Sequence, residues 1–123
     1  MNENKIKILL VEDDRFISEI YYRKLTENGF DVKLAQDGIE AISFFKDFRP
    51  DLVLLDVMLP KKSGWEVLRD IKDIKDSEAK VIMLTNLGEK EKIKQAQEMG
   101  ADDYLVKASL TPSELVEIIK DKI

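Results

Sequence analysis

The chain of 123 residues contains neither cysteine nor histidine. Without cysteine it can form no disulfide, thiolate nucleophile or Cys-ligated zinc site. Without histidine it has no imidazole for acid–base chemistry, phosphohistidine formation or metal ligation. Any chemistry must therefore use Asp, Glu, Lys, Ser, Thr or Tyr side chains, or a hard metal ion.

Glycine and proline are scarce, at five and three residues, whereas 44% of the residues are hydrophobic and 37% are charged. This composition is typical of a compact domain that buries its own core, and not of a disordered chain. We expect a single domain over residues 1–123, with no effector domain in the chain.

Long hydrophobic runs and clustered positive charge are absent as well. Nothing in the sequence approaches the length of a membrane span or of a signal-peptide core, so we expect a cytoplasmic protein without a membrane partner. The net charge of −5 argues against direct contact with nucleic acid, which requires clustered Lys and Arg.

Short apolar runs alternate with amphipathic segments along the whole chain. The runs predicted as strands are residues 6–11, 32–35, 52–55, 81–84 and 104–106. Each is followed by a helical pattern, and the last helix has the clearest start: Thr111 as N-cap, Pro112 as first helical residue and Glu114 completing a capping box. Strict alternation with doubly buried strands predicts a three-layer, doubly wound α/β domain with a parallel sheet.

In such sheets the functional crevice lies beyond the carboxyl ends of the strands. The polar residues expected there are Glu12, Asp13, Asp14, Asp56, Thr85 and Lys107. One acid after the first strand, which we predict to be Asp14, caps the first helix. Alone, Asp56 could merely begin a turn before Pro60, and Lys107 could be an exposed lysine at a strand end. Together these residues predict a charged crevice.

The charges of this crevice predict a bound cation. Glu12, Asp13 and Asp56 with Lys107 carry a net charge of −2 when all are ionised, and clustered carboxylates repel unless one is protonated or a cation enters. Ligands that are all oxygen select a hard ion, Mg²⁺ or alternatively Mn²⁺. With the metal bound, a carboxylate can attack a phosphoryl group while the metal and an ammonium neutralise the developing charge. Asp56 would then become an acyl phosphate.

Four segments together resemble the receiver domain of two-component response regulators, the family that includes the chemotaxis regulators, and the resemblance covers the whole chain. These segments are residues 8–13, residues 50–60 with Gly64, residues 81–85 and residues 100–107. The resemblance implies a flavodoxin-like sheet with strand order 2-1-3-4-5. It also implies a phosphorylation-dependent signalling switch.

The resemblance further implies roles for most residues of the crevice and for two residues near it, Met58 and Tyr104. These roles are phosphoacceptor for Asp56, direct Mg²⁺ ligand for Asp13, water-mediated ligand for Glu12, backbone-carbonyl ligand for Met58, phosphoryl contacts for Lys107 and Thr85, and aromatic switch for Tyr104. The implied phosphodonor is a sensor histidine kinase or a phosphotransfer protein. The implied output is a changed surface on helix four, strand five and helix five, read by a downstream protein or by an effector domain outside these residues.

The phosphoryl group is expected to persist. In the family, the side chains two positions after the phosphoacceptor and two after the threonine flank the approach of the hydrolytic water, and here they are Met58 and Leu87. Neither can orient a water molecule and both obstruct it, so we expect slow autodephosphorylation. The chain would thus catalyse its own phosphorylation and slow dephosphorylation and would not be a conventional enzyme.

Two departures from the family pattern lead to further expectations. Ala108 follows Lys107 where the family has a cis proline, so we predict a trans Lys107–Ala108 bond, in a loop one residue longer than usual. Glu117 occupies a region that is often basic in receivers that dimerise through this face. We expect a monomer when the chain is unphosphorylated.

Three alternatives belong to other functional classes. A phosphatase of the haloacid-dehalogenase type needs a second acid two residues after its nucleophile, where this chain has Met58. A flavodoxin-like carrier needs a phosphate loop after strand one, where Glu12 and Asp13 would repel phosphate. The third is a non-phosphorylated pseudo-receiver that acts as a protein-interaction module, since a fold can outlive its chemistry.

Overall fold

The structure is a computed structural model that describes residues 5–74, 77–86 and 90–123. Within these residues, five strands alternate with five α-helices. In chain order they are β1 (Lys7–Val11), α1 (Arg15–Glu27), β2 (Asp31–Ala35), α2 (Gly38–Phe48), β3 (Leu52–Leu55), α3 (Gly64–Asp73), β4 (Lys80–Thr85), α4 (Lys90–Glu98), β5 (Asp103–Val106) and α5 (Pro112–Lys122). A short 3-10 helix, Lys107–Ser109, lies between β5 and α5.

The five strands form one parallel sheet in the order β2-β1-β3-β4-β5. The predicted fold class and strand order are confirmed. All four residues of β3 are buried, as the apolar run predicted. At the edge of the sheet, β2 exposes the charged residues Asp31 and Lys33, which discourage pairing with another chain.

Side chains alternate between the two faces of the sheet and build two cores. On one face, residues such as Leu9 and Val53 pack with α2 and α3. On the other face, residues such as Leu10 and Leu54 pack with α1 and α5. Each central strand therefore contributes to both cores, and this is why its sequence is apolar throughout.

The predicted helix caps are confirmed. Asp14 Oδ1 accepts a hydrogen bond from the Ile17 amide at 3.0 Å, and Thr111 forms a capping box with Glu114. A second capping box, between Ser63 and Glu66 at the start of α3, was not predicted although its S-x-x-E pattern is legible in the sequence.

The structure adjusts the ends of four strands by one residue: β1 begins at Lys7 and not at Ile6, β2 begins at Asp31, and β4 begins at Lys80. Thr85, predicted to follow β4, is the last residue of that strand, and β5 begins one residue earlier than expected, at Asp103. Lys107 enters the 3-10 helix directly after β5. In the part of the chain that the structure describes, no peptide bond is cis, so the predicted trans Lys107–Ala108 bond is confirmed.

Candidate functional site

Adjacent strand ends bring the two central carboxylates side by side. Val11 and Leu55 are partners in the parallel register of β1 and β3, and the Asp56 amide donates to the Val11 carbonyl at 3.2 Å. On the other side, the Glu12 amide donates to the Ala35 carbonyl at 3.0 Å, which continues the pairing of β1 with β2. The backbones of Glu12 and Asp56 are thus held by the sheet itself.

Three carboxylates meet at this edge. Glu12, Asp13 and Asp56 each place one carboxylate oxygen within 4.8 Å of the other two. Glu12 and Asp56 are buried, at 2% and 7% exposure, whereas Asp13 is exposed to solvent. Main-chain amides hold the two buried carboxylates. The Asp14 amide donates to Glu12 Oε2 at 3.1 Å, and the Met58 amide donates to Asp56 Oδ1 at 3.2 Å.

Lys107 is inserted between the two buried carboxylates. Its Nζ donates to Asp56 Oδ2 at 3.0 Å and also to Glu12 Oε1, and the side chain is only 8% exposed. The 3-10 helix, in which the Leu110 amide donates to the Lys107 carbonyl at 3.2 Å, turns the chain back over the strand ends. The exposed strand-end lysine that the sequence also allowed is therefore excluded.

Burial and charge oppose each other in this group. Burial raises the pKa of Glu12, although the Lys107 ammonium and the Asp14 amide favour the ionised carboxylate. Burial alone would lower the pKa of Lys107, but the hydrogen bond to Glu12 and the charge of Asp56 outweigh it, so the pKa is raised. The site therefore keeps an ammonium in its charged form next to two carboxylates.

The donor set fits a hard divalent cation. The three carboxylates supply only oxygen ligands, and with one ammonium they leave a net charge of −2 when ionised. Oxygen ligands from two or three carboxylates, completed by water, are typical of Mg²⁺ and also suit Mn²⁺. Glu12, Asp13 and Asp56 are the residues that could hold such an ion.

Steric contact explains why glycine stands at position 64, one of the residues on which the family resemblance was based. A methyl carbon at this position would lie 2.1 Å from the carbonyl oxygen of Asp56 and 2.7 Å from Val57 Cα. The Gly64 amide also donates to the Val57 carbonyl at 2.9 Å. Only glycine allows α3 to begin this close to the backbone of Asp56.

The other predicted residues surround this centre. Thr85 is buried, and its register partner Val106 directly precedes Lys107. Tyr104 pairs with Met83, so it lies on the same face of the sheet as Thr85 and packs on the core there. Thr85 and Tyr104 each make at least one hydrogen bond, ring contact or electrostatic interaction with another group.

Two residues were predicted to influence the lifetime of the phosphoryl group. Met58 directly borders the site, and the residue is 66% exposed. Leu87 lies outside the residues that the structure describes.

Sequence reasoning did not single out the contacts that support the loop between β3 and α3. Lys61 Nζ lies 3.4 Å from Asp37 Oδ2, and the main chain of Lys62 contacts Gly38. The Asp-Gly pair after β2 could have been recognised as a helix start, but nothing in its pattern predicts which loop it meets.

The chain belongs to the response regulator receiver domain family, whose model matches residues 8–120. It is therefore a receiver domain of two-component signalling. Receiver domains bind Mg²⁺ in an acidic pocket and interact with histidine kinases and with effector or target proteins; the acidic cluster of this chain corresponds to such a pocket.

Particular relatives support this assignment. The chain is 36% identical over 116 residues to the chemotaxis protein CheY of Halobacterium salinarum, covering 94% of each protein. It is 41% identical over 102 residues to the response regulator MprA of Mycobacterium sp. strain KMS, covering 83% of this chain and 44% of MprA. The crystal structure of a CheY-like receiver domain protein from Methanospirillum hungatei superposes with a TM-score of 0.89 at 29% identity, covering 97% of this chain and 94% of that one.

The relatives differ in length. The chain spans less than half the length of several curated relatives that it matches, and nearly all of the archaeal CheY. Among residues 5–74, 77–86 and 90–123, none of the helices combines the length and apolar composition needed to cross a bilayer.

Proposed function

We propose that Asp56 accepts a phosphoryl group, in a Mg²⁺-dependent reaction, from a sensor histidine kinase or a phosphotransfer protein. The observation that carries this proposal is the placement of the buried Asp56 carboxylate, 3.0 Å from Lys107 Nζ and within 4.8 Å of the carboxylates of Glu12 and Asp13. Charged groups are costly to bury, so packing alone does not account for this arrangement. A buried carboxylate that pairs with an ammonium and lies beside two further carboxylates is suited to a reaction in which charge builds up and is neutralised.

The transfer step uses Asp56 as nucleophile. A carboxylate oxygen of Asp56 forms a bond to phosphorus while the bond from phosphorus to the donor's imidazole nitrogen breaks, and the electron pair of that bond returns to the imidazole. Lys107 donates hydrogen bonds to the oxygens of the transferring group, moving from the contacts that it makes with Asp56 and Glu12.

Mg²⁺, when bound, neutralises charge on the phosphoryl oxygens and lowers the repulsion among the carboxylates. Asp13 would ligate it directly, Glu12 through water, and Asp56 and the carbonyl of Met58 would complete the protein's share. The Met58 amide already donates to Asp56 Oδ1, so the peptide of Met58 borders the nucleophile.

The placement of Asp56 near Thr85 and Tyr104 also supports a conformational switch that phosphorylation would trigger. Phosphorylation replaces the single negative charge of the Asp56 carboxylate with a phosphoryl group that carries about 1.5 to 2 negative charges at the strand ends, close to Thr85. The Thr85 hydroxyl would be drawn to it, and Tyr104, on the same face of the sheet, would move inward and change the surface of α4, β5 and α5. A downstream protein, or an effector domain outside these residues, would bind the changed surface.

The proposal is tested by incubating the chain with acetyl phosphate and Mg²⁺ and measuring the intact mass. We expect the mass of one phosphoryl group to be added, and to be lost in Asp56→Asn or when EDTA removes the metal. Asp51→Asn is the matched control, because Asp51 is exposed at the opposite end of β3. A wild-type chain that gains no mass would instead be a non-phosphorylated interaction module, and an Asp56→Asn chain that still gains it would refute the assignment.

A further inference from the structure

The loop between β3 and α3, residues 56–63, is held by helix α2. This helix contributes none of the three carboxylates of the acidic site. Gly38, the first residue of α2, lies against the main chain of Lys62. A methyl carbon on Gly38 would stand 2.0 Å from the Lys62 carbonyl oxygen and 2.5 Å from Lys62 Cβ. Helix and loop are thus in direct backbone contact, and any side chain at residue 38 must displace one of them.

Hydrogen bonds and charge reinforce this contact. The Gly38 amide donates to the Pro60 carbonyl at 3.3 Å, and the Lys62 amide donates to the same carbonyl at 2.8 Å. Asp37, the N-cap of α2, accepts from the Glu40 amide at 2.8 Å and lies 3.4 Å from Lys61 Nζ. Three consecutive loop residues, 60 to 62, therefore contact the first turn of α2.

The other end of the loop is part of the acidic site. Asp56 begins the loop, and the Met58 amide donates to Asp56 Oδ1 at 3.2 Å. Only Leu59 separates Met58 from Pro60. Because the loop is short and Gly64 holds its far end against the Asp56 backbone, a shift at Lys62 has little room to relax before it reaches Met58.

We infer that Asp37 and Gly38 are positioning residues for the Mg²⁺ and phosphoryl site. They touch neither the metal nor the phosphoryl group, and act by holding the loop so that the Met58 peptide faces Asp56. This inference rests on the proposed function. Mg²⁺ demands near-octahedral geometry with oxygen distances of about 2.0–2.1 Å, so a small displacement of the loop weakens its binding.

The first test compares Gly38→Ala with Gly29→Ala. Gly29 has a φ of +89°, so alanine there is strained, but a methyl group would meet nothing within 4 Å. Gly29→Ala therefore lowers stability without touching the loop. Mg²⁺ affinity is measured by calorimetry and by the fluorescence of Trp65, the single tryptophan, which follows Gly64.

We expect Mg²⁺ to bind about tenfold more weakly to Gly38→Ala, and within about twofold of wild type to Gly29→Ala. Phosphorylation by acetyl phosphate at subsaturating Mg²⁺ should slow in parallel, and saturating Mg²⁺ should restore most of the rate. Equal Mg²⁺ affinity in the two folded variants would overturn the inference.

A second pair of variants covers the case in which Gly38→Ala does not fold. Asp37→Ala removes both the cap and the partner of Lys61, whereas Asp37→Asn removes the same charge but keeps a side chain that caps equally well. Asp37→Ala should weaken Mg²⁺ binding about threefold to fivefold, the size of effect that an N-cap exerts on the helix end that it holds, and Asp37→Asn should restore wild-type affinity. The ion pair that Asp37→Asn breaks contributes little to the position of the loop, because the Lys61 side chain is 62% exposed. A loss of equal size in Asp37→Asn would therefore mean that the charge of residue 37 and not its cap is responsible, and would refute the inference.

Measurements on the wild-type chain distinguish a failure of the proposed function from a failure of the positioning role. If wild type neither binds Mg²⁺ nor gains a phosphoryl group, the proposed function fails. If wild type does both and the Asp37→Ala and Gly38→Ala variants match it, only the positioning role fails.

Discussion

Lys107 Nζ lies 3.0 Å from Asp56 Oδ2, although the two residues are 51 positions apart in the sequence. Both side chains are nearly inaccessible, at 8% and 9% exposure, so solvent screens their interaction only weakly. Lys107 also donates to Glu12, so one ammonium compensates two buried carboxylates. This relationship links the stability of the domain to the charge state of its site.

Removing the ammonium should destabilise the metal-free chain. In Lys107→Met, Glu12 and Asp56 would remain buried without their cation, and we expect the free energy of unfolding to fall by about 3 kcal/mol. Mg²⁺ should then raise the stability of the variant more than that of wild type, because it supplies the missing positive charge. Urea unfolding with and without Mg²⁺ measures both effects.

The control for this variant is Lys72→Met, which breaks a pair with Asp102 in which both side chains are about one-third exposed. It should cost less than about 1 kcal/mol and leave the Mg²⁺ increment as in wild type. An equal Mg²⁺ increment in Lys107→Met and wild type would contradict the view that ammonium and metal neutralise the same carboxylates.

Asp13 and its neighbour Asp14 allow a test of metal ligation at constant net charge. Asp13→Asn removes a carboxylate from the acidic cluster, so Mg²⁺ should bind at least about tenfold more weakly. Asp14→Asn neutralises the adjacent acid but keeps the cap of α1, and should change the affinity by less than about twofold. The same loss in both variants, measured by calorimetry, would show that general electrostatics and not ligation sets the affinity.

The coupling between the site and the surface of α4, β5 and α5 should depend on the Thr85 hydroxyl. In Thr85→Ala, phosphorylation should still occur, but most of the NMR chemical-shift change at Tyr104 and its neighbours should disappear. Thr26→Ala serves as a control, because its hydroxyl donates to the carbonyls of Tyr22 and Arg23 in its own helix. Unchanged shifts in phosphorylated Thr85→Ala would rule out this route.

Met58 and Leu87 are predicted to prolong the phosphorylated state. Introducing polar groups, as Met58→Asn with Leu87→Glu, should accelerate loss of the phosphoryl group severalfold, since a water could then be oriented towards phosphorus. Decay is followed by intact mass in Mg²⁺ buffer without a kinase. Ile20→Asn, on the exposed surface of α1, should decay like wild type; if the double variant also does, water access at these positions does not set the lifetime.

The ion pair between Lys62 and Asp70, which ties the loop to α3, should make stability depend on pH. The hydrogen bond from Lys62 lowers the pKa of Asp70, so the folded state favours the ionised carboxylate. A lowered pKa contributes stability above the ordinary value of 3.8, and this stability is lost as pH falls through the folded value. Both side chains are about a quarter to a third exposed, so we expect the contribution at neutral pH to be below about 1 kcal/mol.

Lys62→Met measures this contribution. The difference in unfolding free energy between wild type and variant should be largest near neutral pH and should shrink below about pH 4. A difference that stays constant with pH would mean that Lys62 contributes by packing alone.

Much of the fold could be predicted because it depends on local patterns. The alternation of apolar runs with helical periodicity indicated a parallel sheet covered on both faces, and the caps at Asp14 and Thr111 form hydrogen bonds within three residues along the chain. Such contacts can be read from spacing alone. The acids and the lysine at the strand ends could likewise be predicted, since parallel strands present their carboxyl ends at one edge.

The tertiary structure alone decided which of these groups touch. The hydrogen bond from Lys107 to Glu12 joins residues 95 positions apart and depends on how the 3-10 helix turns over the sheet, which no periodicity encodes. The contact of Gly38 with Lys62 depends on the packing of α2 beside the β3–α3 loop, so the sequence shows the glycine but not its neighbour. Local hydrogen bonds and alternation determine the elements of this protein, whereas long-range packing determines the geometry of its site.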